Sequence, residues 1–390
     1  MNSALTYLDH AATTPMRPEA VAAMAPFLQG TFGNPSGAHG AARAAKTALE
    51  EAREEVAELL GARPGEVVFT AGGTEADNLA VKGAARLARA TRGADGVVTA
   101  AFEHKGVLAS CDRLAAEGFR IEALSVPQSG VIDVDRVLAA VDEHTAVVSV
   151  MLVNNEVGTI QPLDRIVAGV RDRAPSAVVH TDAVQAVPWI DVARAAAGVD
   201  LVAISAHKFG GPKGTGALVV RNGTAVEPLI EGGGQEAGLR SGTSNVAGAV
   251  AMAAALRATC DARAADVVRI GALRDRLIGG LGTAVPGVFE NGERRAKVAG
   301  NAHLGFHGVE AETLLVALDQ AGVCAAAGSS CSSGATDPSH VLAAMGVSRD
   351  DARSSVRLSL GFASTDADVD VALDVIPRAV AQLRRAGEAA

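Results

Sequence analysis

Aromatic side chains are scarce in this chain: one tryptophan, one tyrosine and nine phenylalanines, 3% of 390 residues. So thin a supply argues against a base-stacking platform for single-stranded nucleic acid. Cysteine is scarce as well. Cys111, Cys260, Cys324 and Cys331 have no framework spacing, no Cys-x-x-Cys pair and no His-rich neighbourhood. That excludes a disulfide scaffold and a resident protein-only metal site, and points to a reducing compartment. Long apolar runs are missing too. The Ala-rich stretch Val246 to Ala258 is too short to span a bilayer and carries Arg257, and Met1 to Asp9 lacks the basic and apolar regions of a signal peptide. Positive charge is in deficit, with a net charge of -9 and no basic run, which argues against nucleic acid as the main partner. The expectation is a soluble cytoplasmic protein with no membrane contact and no direct nucleic-acid partner.

What is present is a globular composition, 48% hydrophobic and 20% charged, on a chain longer than one core usually covers. Short continuous apolar runs alternate with amphipathic stretches. Val67 to Thr70, Val97 to Ala101, Phe119 to Val126, Ala146 to Val153, Ala177 to His180, Val199 to Ile204 and Gly216 to Val220 read as strands. Helices are expected at Arg17 to Leu28, His39 to Leu60, Glu75 to Ala90, from near His104, at Asp133 to Asp142 and at Leu163 to Arg173. Continuous apolar strands between helices indicate an α/β fold with a mainly parallel sheet covered on both faces. Beyond Thr243 the pattern becomes a long helix, Asn245 to Leu281, then a mixed region and a last helix from Asp366 to Arg385. A large domain is expected over residues 15–260. Residues 1–14 and 261–390 are expected to form a smaller α+β domain.

Ligands of open parallel sheets bind at the carboxyl ends of the strands, and every candidate chemical residue of the first half follows a strand. Gly72-Gly73-Thr74 turns into a helix and offers backbone N–H groups and the helix dipole to a phosphate. His104, Asn154, Asn155, Asp182, Gln185 and Lys208 follow the other runs. Lys208, between Ser205-Ala206-His207 and a glycine-rich turn, suits Schiff-base chemistry, because a desolvated ammonium loses its proton more readily. Jointly the set suits pyridoxal phosphate. That cofactor needs a lysine, a carboxylate at the ring nitrogen (Asp182), a phosphate cup (Thr74, Ser205, His207), a flat group on the ring (His104) and donors near its hydroxyl (Asn155, Gln185). Singly, each has a plain structural alternative: Asp182 as a helix cap, His104 as a cap or packing residue, Lys213 as a structural charge. Arg357 would hold a carboxylate bidentately or make a surface ion pair. Cys331 lies in Gly328-Ser329-Ser330-Cys331-Ser332-Ser333-Gly334, small polar company that suits a reactive thiol. The other three cysteines read as packing residues.

With these residues in view, the chain resembles the cysteine desulfurases of the NifS/IscS type, in the class V aminotransferase branch of fold-type I pyridoxal-phosphate enzymes. The resemblance runs nearly end to end. It rests on Tyr7-Leu8-Asp9-His10-Ala11-Ala12-Thr13-Thr14-Pro15, Gly33-Asn34-Pro35-Ser36, Gly73-Thr74-Glu75-Ala76-Asp77-Asn78, Glu103-His104 and Asn154-Asn155-Glu156-Val157-Gly158. It continues through His180-Thr181-Asp182-Ala183-Val184-Gln185, Ser205-Ala206-His207-Lys208, Arg240-Ser241-Gly242-Thr243, the Cys331 loop and Arg357-Leu358-Ser359-Leu360-Gly361.

The resemblance implies a seven-stranded, mainly parallel sheet in the large domain and a mobile catalytic-cysteine loop in the small one. Lys208, Cys331 and His104 would be catalytic, with His104 also the proton carrier for the substrate thiol. Thr74, His104, Asn155, Asp182, Gln185, Ser205, His207 and Lys208 would bind the cofactor. Thr243 would reach the phosphate of a neighbouring subunit, so a homodimer is implied. Arg357, Asn155 and Asn34 would bind L-cysteine. Sulfur would leave it as a persulfide on Cys331, with alanine as co-product, and pass to an acceptor such as an iron–sulfur scaffold or a thiolation protein. The one metal contact left open is a transient metal or iron–sulfur contact at Cys331. The competing readings are a selenocysteine lyase or a class V aminotransferase on the same scaffold, and a non-catalytic sulfur-pathway scaffold. Retention of Lys208, Asp182 and Cys331 argues against the last.

Overall fold

The structure is a computed structural model and describes residues 5–327 and 339–388. Its strands in chain order are β1 Thr6–Tyr7, β2 Val67–Thr70, β3 Gly96–Ala100, β4 Arg120–Leu124, β5 Thr145–Ser149, β6 Val178–Asp182, β7 Leu201–Ser205 and β8 Gly216–Val220. The set continues with β9 Val288–Glu290, β10 Asn301–Phe306, β11 Val323–Cys324 and β12 Ser355–Ser359. A seven-stranded sheet runs in the order β2-β8-β7-β6-β5-β3-β4. Only β8 is antiparallel to its neighbours; the other pairs are parallel. The sheet is the mixed, mainly parallel one the sequence indicates. Every residue of β3, β5, β7 and β8 is buried, as strands covered by helices on both faces must be. At one edge β4 presents Arg120 and Glu122, charges that discourage pairing with another chain.

The second half adds what the sequence left as a mixed region. Strands β9, β10 and β12 form an antiparallel sheet with β10 in the centre. Leu304, Phe306, Val356 and Leu358 from it pack with Leu273, Leu277 and Val369 of two helices. The N-terminal strand β1 pairs with β11, which brings the first residues to this second core. The helix Val246–Ala284 runs through position 260 without a break. Its first half, including Met252 and Leu256, belongs to the core under the large sheet. Its last turns, including Ile270, Leu277 and Leu281, belong to the second core. Val341, Leu342 and Met345 also pack into the first core, and the Val126 N–H donates to the Ala344 carbonyl over 3.0 Å. Among the described residues no helix is long and apolar enough to cross a membrane.

Candidate active site

The carboxyl ends of the large-sheet strands open onto one cavity of about 260 Å³. Thr74, His104, Asn155, Asp182, Gln185, Ser205, His207, Lys208 and Arg357 all line it, with Ala11, Ala12, Asp77, Glu156 and His340. Backbone geometry explains the crowding. Asp182 and Ser205 are the last residues of β6 and β7, and Ala206–Lys208 is a single 3-10 turn directly after β7. The helix Gly73–Arg92 starts where β2 ends, and a Cβ on Gly73 would come within 2.7 Å of the Val184 side chain. Only glycine lets that helix terminus sit so close to the loop after Asp182. Thr74, Ser205 and His207 also face an outer recess shared with Asn78, Lys82 and Lys213. The helix N-terminus and two nearby lysines make this end of the site suit a phosphate.

The N-terminal segment folds over the lysine. Lys208 Nζ donates to the carbonyls of Ala11 and Ala12 at 2.6 and 2.8 Å, and Gln185 Nε2 donates to the Ala11 carbonyl at 2.8 Å. His207 Nδ1 lies 3.1 Å from Thr13 Oγ1. Burial, with Lys208 and Lys213 nearby, pushes His207 down to about 4. It therefore meets an anion as a neutral ring.

At the other end three side chains crowd together. Donor atoms of Asp77, His104 and Asp182 lie within 4.8 Å of one another. Asp182 Oδ1 accepts from the Val184 N–H at 2.8 Å. Burial and then Asp77 push Asp182 up to about 7, while His104 opposes the rise. Burial alone raises Asp77 to about 8, and neither of its oxygens has a hydrogen-bond partner. Its nearest neighbour, His180 Nε2, stands at 3.6 Å, and burial holds His180 near 4 and so uncharged. Two buried carboxyls this close cannot both ionise cheaply. A protonated ring nitrogen would supply the missing positive charge. A buried carboxyl, a recess at a helix N-terminus and Lys208 lining one cavity are what pyridoxal phosphate requires, and the residues fit it.

His104 caps the helix Lys105–Ala116: its Nδ1 accepts from the Gly106 N–H at 3.0 Å. The cap reading and the cavity-wall reading therefore hold together. Burial lowers its pKa, with Asp182 opposing. Arg357, on β12, is buried; its guanidinium donates to the Asn155 carbonyl and to Asp9 Oδ1, both at 2.8 Å. Asn155 Oδ1 is buried without a partner. Ser339 donates its hydroxyl to Glu156, and His340 Nε2 lies 2.9 Å from the Glu103 carbonyl oxygen.

Two expected residues stand elsewhere. Asn34 and Thr243 are exposed and line no part of this cavity; Asn34 Oδ1 accepts from the Ser36 N–H at 3.0 Å. Cys331 falls outside the described residues. The sequence reading missed Asp77, Glu156, His340 and the Ala11 and Ala12 carbonyls. Asp77 had a signal: a lone carboxylate among Ala76, Ala80 and Ala84 on the buried face of its helix. His340 had none, because its place depends on a distant carbonyl.

Comparison with known proteins places this geometry among relatives. The family described as Aminotransferase class-V matches residues 6–372. The chain is 46% identical over 394 aligned positions to the IscS-like cysteine desulfurase of Mycobacterium tuberculosis, covering 99% of each. It is 43% identical to the cysteine desulfurase IscS of Dictyoglomus turgidum, over 97% of this chain and 95% of that one. Among solved structures, a NifS-like protein superposes with a TM-score of 0.91 at 34% identity, covering 97% of this chain and 100% of the other. A structure described as SspA in complex with cysteine superposes at 0.79, with 32% identity and coverage of 91% and 98%.

Proposed function

The chain belongs to the class V aminotransferase family and is a pyridoxal-phosphate-dependent cysteine desulfurase, and on that premise we propose how its residues divide the work. The bound cofactor supplies an electron sink for the negative charge that develops on the substrate. Asp182 holds a negative charge against the ring nitrogen, with Asp77 keeping its proton beside it. Thr74, Ser205 and His207 take the phosphate, joined by Thr243 of the partner subunit in a homodimer. Gln185 and Asn155 would hold the cofactor's hydroxyl, and His104 would pack against its ring. Lys208 would hold the cofactor, and its amine would take the proton from the substrate Cα.

The substrate is L-cysteine. Arg357 binds its carboxylate, which displaces Asp9 from the guanidinium; Asn155 lies beside it, and Asn34 also contributes to binding. Cys331 accepts the sulfur as a persulfide and hands it to an acceptor protein, an iron–sulfur scaffold or a thiolation protein. The observation that carries this reading is the convergence of Lys208, Asp182, His104, Gln185 and Arg357 on one cavity. It is tested by Cys331→Ser in single turnovers with L-cysteine. The variant should keep the visible absorbance of the bound cofactor yet release almost no sulfide on reduction. Near-normal sulfide would overturn the role of Cys331.

A further inference from the structure

The backbone fixes the tautomers of both histidines on the substrate side of the cavity. The Gly106 N–H donates to His104 Nδ1, so that lone pair is spent and the ring proton sits on Nε2. A neutral imidazole in this state makes a poor base. His340 is arranged the opposite way. Its Nε2 faces the Glu103 carbonyl oxygen at 2.9 Å, and a carbonyl only accepts, so Nε2 carries the proton. Nδ1 keeps its lone pair, is shielded from solvent and has no hydrogen-bond partner. The ring lines the same cavity as Lys208, His104 and Arg357. Its position is secured from both sides, by the Nε2 contact and by the neighbouring Ser339 hydroxyl bonded to Glu156. Around it stand Glu103 and His104, then Lys105 on the following helix, Glu156 after β5 and Arg357 on β12.

We propose that His340 is the base that carries a thiol proton during desulfuration, a role that rests on the cysteine desulfurase reading above. Two thiol hydrogens enter the reaction, one on L-cysteine and one on the attacking cysteine. One leaves on the persulfide and one on the methyl carbon of alanine. His340 Nδ1 takes the substrate's thiol proton. The S–S bond then forms as the Cβ–S bond breaks, and the electron pair of the broken bond stays with carbon. Sulfur is thereby oxidised to the sulfane level and carbon is reduced. His340 returns its proton to that carbon, while the hydrogen of the attacking thiol ends on the persulfide.

The test uses the holoenzyme and His340→Gln, whose amide still donates toward Glu103 but offers no base. General-base removal should lower kcat roughly 10²-fold and leave KM and the cofactor absorbance in place. Added imidazole should restore part of the rate. In the wild type, ¹⁵N NMR of labelled histidine should show the Nε2–H tautomer for the resonance that His340→Gln removes. A variant within about threefold of wild type overturns the role, as does an Nδ1–H ring. If the variant disturbs the cofactor absorbance, the wild-type tautomer decides. Failure of the wild type to make alanine from L-cysteine would overturn the desulfurase reading, and this role with it.

Discussion

On one wall of the cavity, Thr74, Asp182, Ser205 and Lys208 stand at the ends of buried strands or within four residues of them. On the facing wall Arg357 comes from the small sheet, Asp9 from the N-terminus and His340 from the segment after residue 338. The first wall inherits its shape from a sheet buried on both faces. The second is held by polar bonds between distant pieces: Arg357 to Asp9, Ser339 to Glu156, His340 to Glu103. Those partners can be exchanged. On the proposed reading, a substrate carboxylate would reach Arg357 by replacing Asp9, a trade of one carboxylate for another with little change in desolvation. The cofactor wall is preorganised and the substrate wall is convertible.

Three experiments would break or sharpen that contrast. Lys208→Ala attacks the rigid wall at its centre. It should cut alanine formation roughly 10⁴-fold and change the visible absorbance of the bound cofactor; an unchanged spectrum would place the anchor elsewhere. Arg357→Ala attacks the convertible wall. Truncating one side of a buried charge pair costs about 3 kcal/mol, so kcat/KM should fall about 10²-fold. The loss should appear chiefly in KM; a loss confined to kcat would mean that Arg357 acts on the transition state instead.

The smallest effect belongs to Asp77→Asn. Burial raises this carboxyl from 3.8 to about 8. The unfolded chain ionises it at the lower value while the folded chain retains the proton. Its stabilising contribution is therefore complete below the lower value and lost as pH rises through the upper one. Neither oxygen has a partner to lose. The Tm of cofactor-free Asp77→Asn should exceed that of wild type by a margin that grows from pH 5 to pH 8, at about 1 °C per kcal/mol for a chain this long. A margin independent of pH would contradict the proton assignment.

The same contrast governs what was legible in the sequence. Val67–Thr70, Leu163–Arg173 and Gly216–Val220 have the bounds the apolar pattern indicates, because each is a run closed by glycine, proline or a polar turn. The cofactor wall was legible for a related reason. Each of its groups follows a strand closely, so locating the strand locates the group. One boundary differed with consequence: β6 continues past His180 to Asp182, pairing with Ala203, so the acid is held by the sheet itself. The sequence indicated a smaller α+β domain but not how its strands pair. The small sheet pairs Asn301 with Ser359 and His303 with Arg357, and no local pattern announces partners so far apart in the chain. The tautomer of His340 is set by a carbonyl whose approach only the tertiary fold decides. Asn34 and Thr243 are exposed and line no part of the cavity, so nothing within the single chain brings them to the site.

The helix Val246–Ala284 has a meaning beyond connection. Its 39 residues extend about 58 Å, with one end in each core and Arg17–Asp266 and Arg269–Ser364 contacts along the stretch between. A helix is a cooperative unit, so fraying at one end is resisted by packing at the other. The two cores are thus joined in melting as well as in sequence. Calorimetry should record a single unfolding transition, and two resolved peaks would mean that the rod breaks at its exposed middle before either core lets go.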